Sequence, residues 1–175
     1  RAARVANRMR GSIRFLTLHG VEIHSHISFP LVLVWAAWQG AMSGGWIGAA
    51  FDVLSVTLLF ACVLLHEMGH SLEAQRLGLP VRRITLFPIG GVAELGLLPE
   101  KPGQEFRIAL AGPAVNLALG LALGGVAAAW IILVGREPRQ AVVAAFDSPS
   151  ALGLLLYLVA ANASLAAFNL IPAFP

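Results

Sequence analysis

From Ile108 to Val134 the chain carries no charged residue, and from Val53 to Leu65 it carries none either. A helix needs ~20 apolar residues to cross the ~30 Å hydrocarbon layer of a bilayer. Backbone in lipid must also satisfy its own N–H and C=O groups, which leaves helices or closed barrels as spanning forms. Of the 175 residues, 58% are hydrophobic and 12% charged, and the mean hydropathy is +0.79. Soluble domains sit nearer half apolar and a quarter charged. This chain has too few polar groups to cover a surface in water, and lipid is the solvent that suits it.

We therefore expect an all-α multi-pass membrane protein of about four transmembrane helices, with a short β-hairpin or re-entrant loop between the second and third. The apolar runs place spans at 28–48, 51–76, 105–134 and 150–171. Residues 1–27 form a basic cytoplasmic lead-in, of which 1–17 suit a surface helix and 19–29 alternate apolar and polar residues as a short strand does. In 81–104, Pro88 forbids a regular helix and Gly90-Gly91 marks a turn, hence the hairpin or loop. Irregular backbone at membrane depth is tolerated only where protein buries it or where it lines a wet cavity, so this segment is expected beside a site that admits water. The whole of 1–175 reads as one core. It starts at Arg1 instead of Met and stops at Pro175, and we expect it to be truncated at the C-terminus.

The pI near 10.0 raises nucleic acid as a partner, but the cations are not arranged as a binding face. Ten of the twelve Lys and Arg residues fall in 1–28 and 76–107, and the other two are Arg136 and Arg139. That split follows the positive-inside rule and puts the N-terminus on the cytoplasmic side. It also puts residues 66–70 near the cytoplasmic end of the second span. The single cysteine, Cys62, excludes an internal disulfide framework.

At the end of the second apolar run stands "LLHEMGHSLEAQRLG", residues 64–78. Residues four apart on a helix are offset by only ~40°. His66 and His70 thus point the same way and can grip one metal ion. Glu67 is poorly placed as a third ligand but well placed to reach a metal-activated water, the arrangement of the HExxH zinc hydrolases. Ionisable groups within a span are costly and mark function. The expected cofactor is one Zn2+ per chain, with Glu67 as general base.

The stretch resembles the site-2 protease family, intramembrane zinc metalloproteases that cut transmembrane helices. "LFPIGGVAEL" (86–95) is similar to that family's re-entrant loop, "AGPAVN" (111–116) to its third-helix motif, and "FNLIPAFP" (168–175) to the start of its N-x-x-P-x-x-P-x-D-G motif. "GVEIHSHISF" resembles the entry to its first core helix. The resemblance implies zinc ligands at His66 and His70, a catalytic glutamate at Glu67, and at Asn169 an asparagine that contacts substrate or steadies the oxyanion. It implies a third ligand at the motif aspartate, just past Pro175, so this stretch alone is not expected to cleave while the intact protein is. It further implies a transmembrane protein substrate, and residence in a bacterial or archaeal cell membrane with the active-site end cytoplasmic.

Other residues carry two readings each. Asn116 is a catalytic candidate or a helix–helix hydrogen-bonding group. Ile84, Thr85, Gly90 and Gly91 are candidate substrate contacts, since a hairpin edge can add an extended substrate as a strand. Glu94 lies at a spacing from His70 where some soluble zincins place a third ligand. It defines the alternative of a membrane-bound zinc protease of another family, and a third class is a non-enzymatic membrane metal-binding protein. Cys62 reads as filler, and Glu73 with Arg76 as an i, i+3 pair. His24 and His26 read as interfacial strand residues, Asn162 as structural, and Trp35, Trp38 and Trp46 as interface or packing residues. Nothing in the residues points to an oligomeric state.

Overall fold

The computed structural model describes residues 11–171 apart from 98, 100 and 136. The elements are β1 (Ser12–Leu18), β2 (Val21–His26), α1 (Phe29–Arg76), β3 (Val81–Phe87), β4 (Gly90–Leu95), α2 (Pro102–Val134), α3 (Pro138–Asp147) and α4 (Ala151–Leu170). Among the described residues, α1, α2 and α4 are long and apolar enough to cross a membrane. In α2, only 6% of the most apolar window is buried, and Leu117, Leu121, Ile132 and Leu133 face outward. An apolar helix exposed in this way suits lipid and not water.

The first helix is folded back on itself. Gly44 (φ −141°, ψ 19°) and Gly45 (φ 61°, ψ −148°) leave helical geometry. The second of these conformations is one that only glycine adopts readily. A straight helix would hold Phe29 and Phe60 about 46 Å apart, yet their ring centroids stand 4.7 Å apart, edge to face. Gly40 and Gly48 meet beside the turn, and a Cβ on either would run into the other's backbone. The turn falls earlier than the expected boundary between spans at 48–51. It leaves an ascending limb to Ser43 only about 22 Å long at ~1.5 Å per residue. Where four separate spans were expected, three helices stand, one of them bent into two limbs. Small residues let helix backbones approach closely. Gly48→Leu is expected to overpack the crossing and destabilise the protein by about 1–3 kcal/mol, read as a lower melting temperature in detergent.

The strands form one four-stranded sheet in the order β1-β2-β3-β4. An all-α fold with a lone hairpin is corrected accordingly. Strand β1 occupies part of the lead-in expected as a surface helix, and the more basic residues 1–10 lie outside the described residues. Its turn to β2 is His19-Gly20, both at positive φ (48° and 78°), the backbone a two-residue hairpin requires. The strand expected over 19–29 is β2. It pairs in parallel with β3, Ile23 opposite Ile84 and His24 opposite Thr85, and β3 pairs antiparallel with β4. A strand such as β2 must satisfy its backbone groups on both sides, and neighbours far off in the chain do so.

Ile84 and Thr85 are consequently central, paired on both sides and fully buried. This corrects their reading as edge contacts: the strand at the rim of the sheet on that side is β4. One core joins Val21, Ile23, Ile84 and Leu86 of the sheet to Val63, Met68 and Ala74 of α1 and Ile108 of α2. Full burial of Ile23 or Ile84 contributes about 2 kcal/mol each. This core fixes the sheet against the HEMGH turn. A second cluster, Ala127, Ala141, Ala145 and Leu152, docks the short helix α3. That helix lay in no expected element; Glu137 caps it by accepting from Gln140 N.

Candidate metal centre

His66 and His70 sit one turn apart on the descending limb of α1, as their spacing predicts. Their Nε2 atoms are 3.0 Å apart and their rings nearly perpendicular, at 84°. His70 Nδ1 lies 2.6 Å from the carbonyl of Ile108 on α2. A carbonyl only accepts, so the ring nitrogen is the donor and the Nε2 lone pair faces His66. Two imidazoles binding one tetrahedral zinc at ~2.0–2.1 Å hold their nitrogens about 3.3 Å apart. The observed separation is close to that, and the donor set fits a zinc ion. His66 Nδ1 is buried without a partner. Among the described residues, no third His, Cys, Asp or Glu joins the two histidines.

The space beside the rings comes from α2. A Cβ at Gly112 would collide with His70 Nε2 and with carbons of both rings. A neighbouring glycine in α1, Gly69, lets the Ala111 backbone approach. Asn116, one turn beyond Gly112, is fully buried, with neither amide atom partnered among the described residues.

Glu67 points toward the sheet. Its side chain lies against Gly91, where any Cβ would strike it. A cavity of about 530 Å³ opens there, lined among others by His66, Glu67, Gly90, Gly91, Tyr157 and Asn169. Asn169 donates from Nδ2 to Leu165 O at 2.7 Å. The α1, β3–β4 and α4 segments thus bring three separately noted features to one cavity: the HEMGH turn, the Gly90-Gly91 pair that begins β4 just after the Pro88-Ile89 turn, and the asparagine of the FNLIPAFP stretch. Residues 172–175 of that stretch lie outside the described residues.

Other candidates stand elsewhere. Glu94 Oε2 is 2.8 Å from Arg83 Nε across the β3–β4 hairpin, so a third ligand at Glu94 finds no geometric support. His24 sits 3.0 Å from Glu22 and 3.4 Å from Ser12 Oγ, and His26 is 2.6 Å from Ser28 Oγ and stacks on Phe87. His24 first, then Arg14, holds the Glu22 carboxyl below its ordinary pKa. Asn162 donates to Leu158 O at 2.8 Å and to Cys62 Sγ at 3.3 Å, tying α4 to α1. Glu73 binds Arg76 at 3.4 Å and, unforeseen, Arg107 of α2 at 2.7 Å. Trp35 and Trp38 are exposed on the ascending limb and Trp46 just past the turn, on the descending limb.

Sequence reasoning missed Gly112 and the Ile108 carbonyl. A small residue inside the quoted AGPAVN stretch was the available signal for the first. A backbone carbonyl has no sequence signal at all.

A model of Peptidase family M50 matches residues 54–175. A zinc metalloprotease of Methanocaldococcus jannaschii is 36% identical over 167 residues, covering 95% of this chain and 43% of that protein. A Synechocystis homologue is also 36% identical, over 182 residues, with 95% and 42% covered. The chain thus spans well under half the length of these curated relatives. The solved site-2 protease of Methanocaldococcus jannaschii superposes with a TM-score of 0.63 at 33% identity, over 94% of this chain and 66% of that one. Sequence and fold agree, and the chain belongs to the site-2 protease family, Peptidase family M50.

Proposed function

We propose that the protein is an intramembrane zinc endopeptidase that hydrolyses peptide bonds in transmembrane-helix substrates. The observation that carries this reading is the convergence of His66 Nε2 and His70 Nε2, 3.0 Å apart, with His66 and Glu67 both lining one cavity. One zinc ion held by the two imidazoles would supply Lewis acidity, polarising a carbonyl and bringing the pKa of water toward ~7.

The chain's own residues do the rest. Glu67 accepts a proton from the attacking water and delivers it to the departing amine. Asn169, in the wall of the same cavity, offers an amide to the charge that develops on the scissile carbonyl oxygen. Gly91, at the start of β4, keeps the space in front of Glu67 free of a side chain. In this reading α1, α2 and α4 cross the bilayer, and the N-terminus and the metal centre lie toward the cytoplasm, as the ten-to-two division of cations favours. The partners are a transmembrane protein and the surrounding lipid. Cleavage of a transmembrane reporter that is abolished by a zinc chelator and restored by zinc tests the reading, and cleavage insensitive to chelation would refute it.

A substrate helix must unwind before its amide can be attacked, and its freed N–H and C=O groups then need partners. Strand β4, at the rim of the sheet beside the cavity, can supply them by strand addition. Backbone N–H groups alternate in direction along a strand, so of Val92 and Ala93 one faces outward. Proline at that position is expected to lower turnover tenfold or more, about 1.4 kcal/mol, with zinc content unchanged. Full turnover in both variants would remove β4 from the mechanism.

A further inference from the structure

The two imidazoles are served unequally from α2. His70 has its outer nitrogen on the Ile108 carbonyl, and His66, 4% exposed, has Nδ1 buried with no partner. A neutral imidazole carries one N–H. For Nε2 of His66 to face a metal, that hydrogen must sit on Nδ1, where a buried donor needs an acceptor.

Asn116 is the second orphan at the same place. It is entirely buried, and neither Oδ1 nor Nδ2 has a partner among the described residues. Ile108, Gly112 and Asn116 follow one another at intervals of four on α2, and His66 and His70 at the same interval on α1. The Ile108 carbonyl serves His70, Gly112 abuts both rings, and the Asn116 amide lies with the Gly112 backbone beside His66. The Gly112 carbonyl already accepts within the α2 ladder and keeps one lone pair, as the Ile108 carbonyl does, whereas the Asn116 amide has no other engagement among the described residues. Which way an asparagine amide points is a matter of a single torsion, and Oδ1 turned to His66 pairs two of the three unpartnered atoms, His66 Nδ1 and Asn116 Oδ1.

We propose that Asn116 is a positioning residue of the metal centre: its Oδ1 accepts the Nδ1–H of His66 and holds that ring with Nε2 toward the metal. This rests on the zinc-protease reading and assigns Asn116 a role behind the ligand instead of at the substrate. With it, each imidazole has an outer partner on α2, a backbone carbonyl for one and a side-chain amide for the other. Outer partners of this kind set the tautomer and basicity of metal-bound histidines.

The test is zinc affinity of the full-length protein in detergent, measured by competition with a chromophoric chelator. Asn116→Leu keeps the side chain's size and removes the acceptor, and is expected to weaken zinc binding about ten- to a hundredfold. Asn116→Asp retains an acceptor and is expected to bind zinc close to the wild-type level. Melting of the zinc-free Leu variant should match that of the zinc-free wild type, which a purely structural role for Asn116 would not allow. Asn162→Leu, at a buried amide that bonds to Leu158 O and Cys62 Sγ and to neither ring, serves as the packing control. Should Asn116→Leu fail to fold, Asn116→Ala carries the same comparison. Wild-type affinity in the Leu or Ala variant would overturn the proposal and leave the Gly112 carbonyl as the partner of His66. An Asp variant no better than Leu would overturn it too. His66→Ala separates the two levels: zinc kept at full affinity there defeats the zinc reading itself, whereas zinc lost there but kept in Asn116→Leu defeats only the role of Asn116.

Discussion

Glu67→Gln is expected to reduce cleavage of a transmembrane substrate by roughly 10²- to 10⁴-fold, the usual contribution of a positioned acid–base group, while zinc content stays at the wild-type level. The amide is nearly isosteric with the carboxylate, so the contact with Gly91 survives and the cavity keeps its shape. What disappears is a group able to accept the proton of the attacking water and release it to the amine. The two histidines keep their own geometry, because His70 is anchored on Ile108 and neither ring is bonded to Glu67. The pair of measurements separates the competing classes. A metal carrier or inactive scaffold loses nothing on this substitution, and a structural carboxylate loses zinc or melting temperature along with turnover. Cleavage undiminished in the Gln variant would end the assignment of Glu67 as the base.

Gly112→Val is expected to abolish zinc binding at micromolar metal and to lower turnover a hundredfold or more. No side chain fits between α2 and the two imidazoles: even a Cβ would overlap His70 Nε2 and ring carbons of His66 and His70. The rings must then swing apart or the helices separate, and a 1 Å misplacement of reacting groups alone costs about 10²-fold. Gly120→Ala is the matched control on the same helix, since its added Cβ meets only Asn162 Cβ at 3.7 Å, an ordinary contact. Atomic absorption on the purified variants reads zinc directly. Stoichiometric zinc in the Val variant would show that the rings need not sit against α2 to hold metal.

Much of the membrane character and the heart of the site could be read from the residues, because both are local properties. Hydropathy over a single run marks α2 and α4, with ends within a few residues of the expected ones. The facing of His66 and His70 follows from helical periodicity alone, and the structure brings their Nε2 atoms to 3.0 Å. The β3–β4 hairpin was signalled by Pro88 and Gly90-Gly91. By contrast, Glu94 kept an open reading as a metal ligand until its cross-strand partner Arg83 was known. Ile84 and Thr85 looked like an edge because the strand on their other side, β2, lies some sixty residues earlier and carries no sign of the pairing.

Spacing within one helix thus decided the chemical type of the centre, two imidazoles and a carboxylate at the end of a lipid-compatible run. Tertiary structure decided what surrounds it: the fold-back at Gly44-Gly45, the inner position of β3, the seat of Glu67 against Gly91, and the row of Ile108, Gly112 and Asn116 behind the rings. The reason is range. Periodicity and hydropathy arise from neighbours along the chain, whereas the register in which two helices dock depends on close packing between segments forty residues apart, and a shift of one turn would offer the histidines a different set of partners.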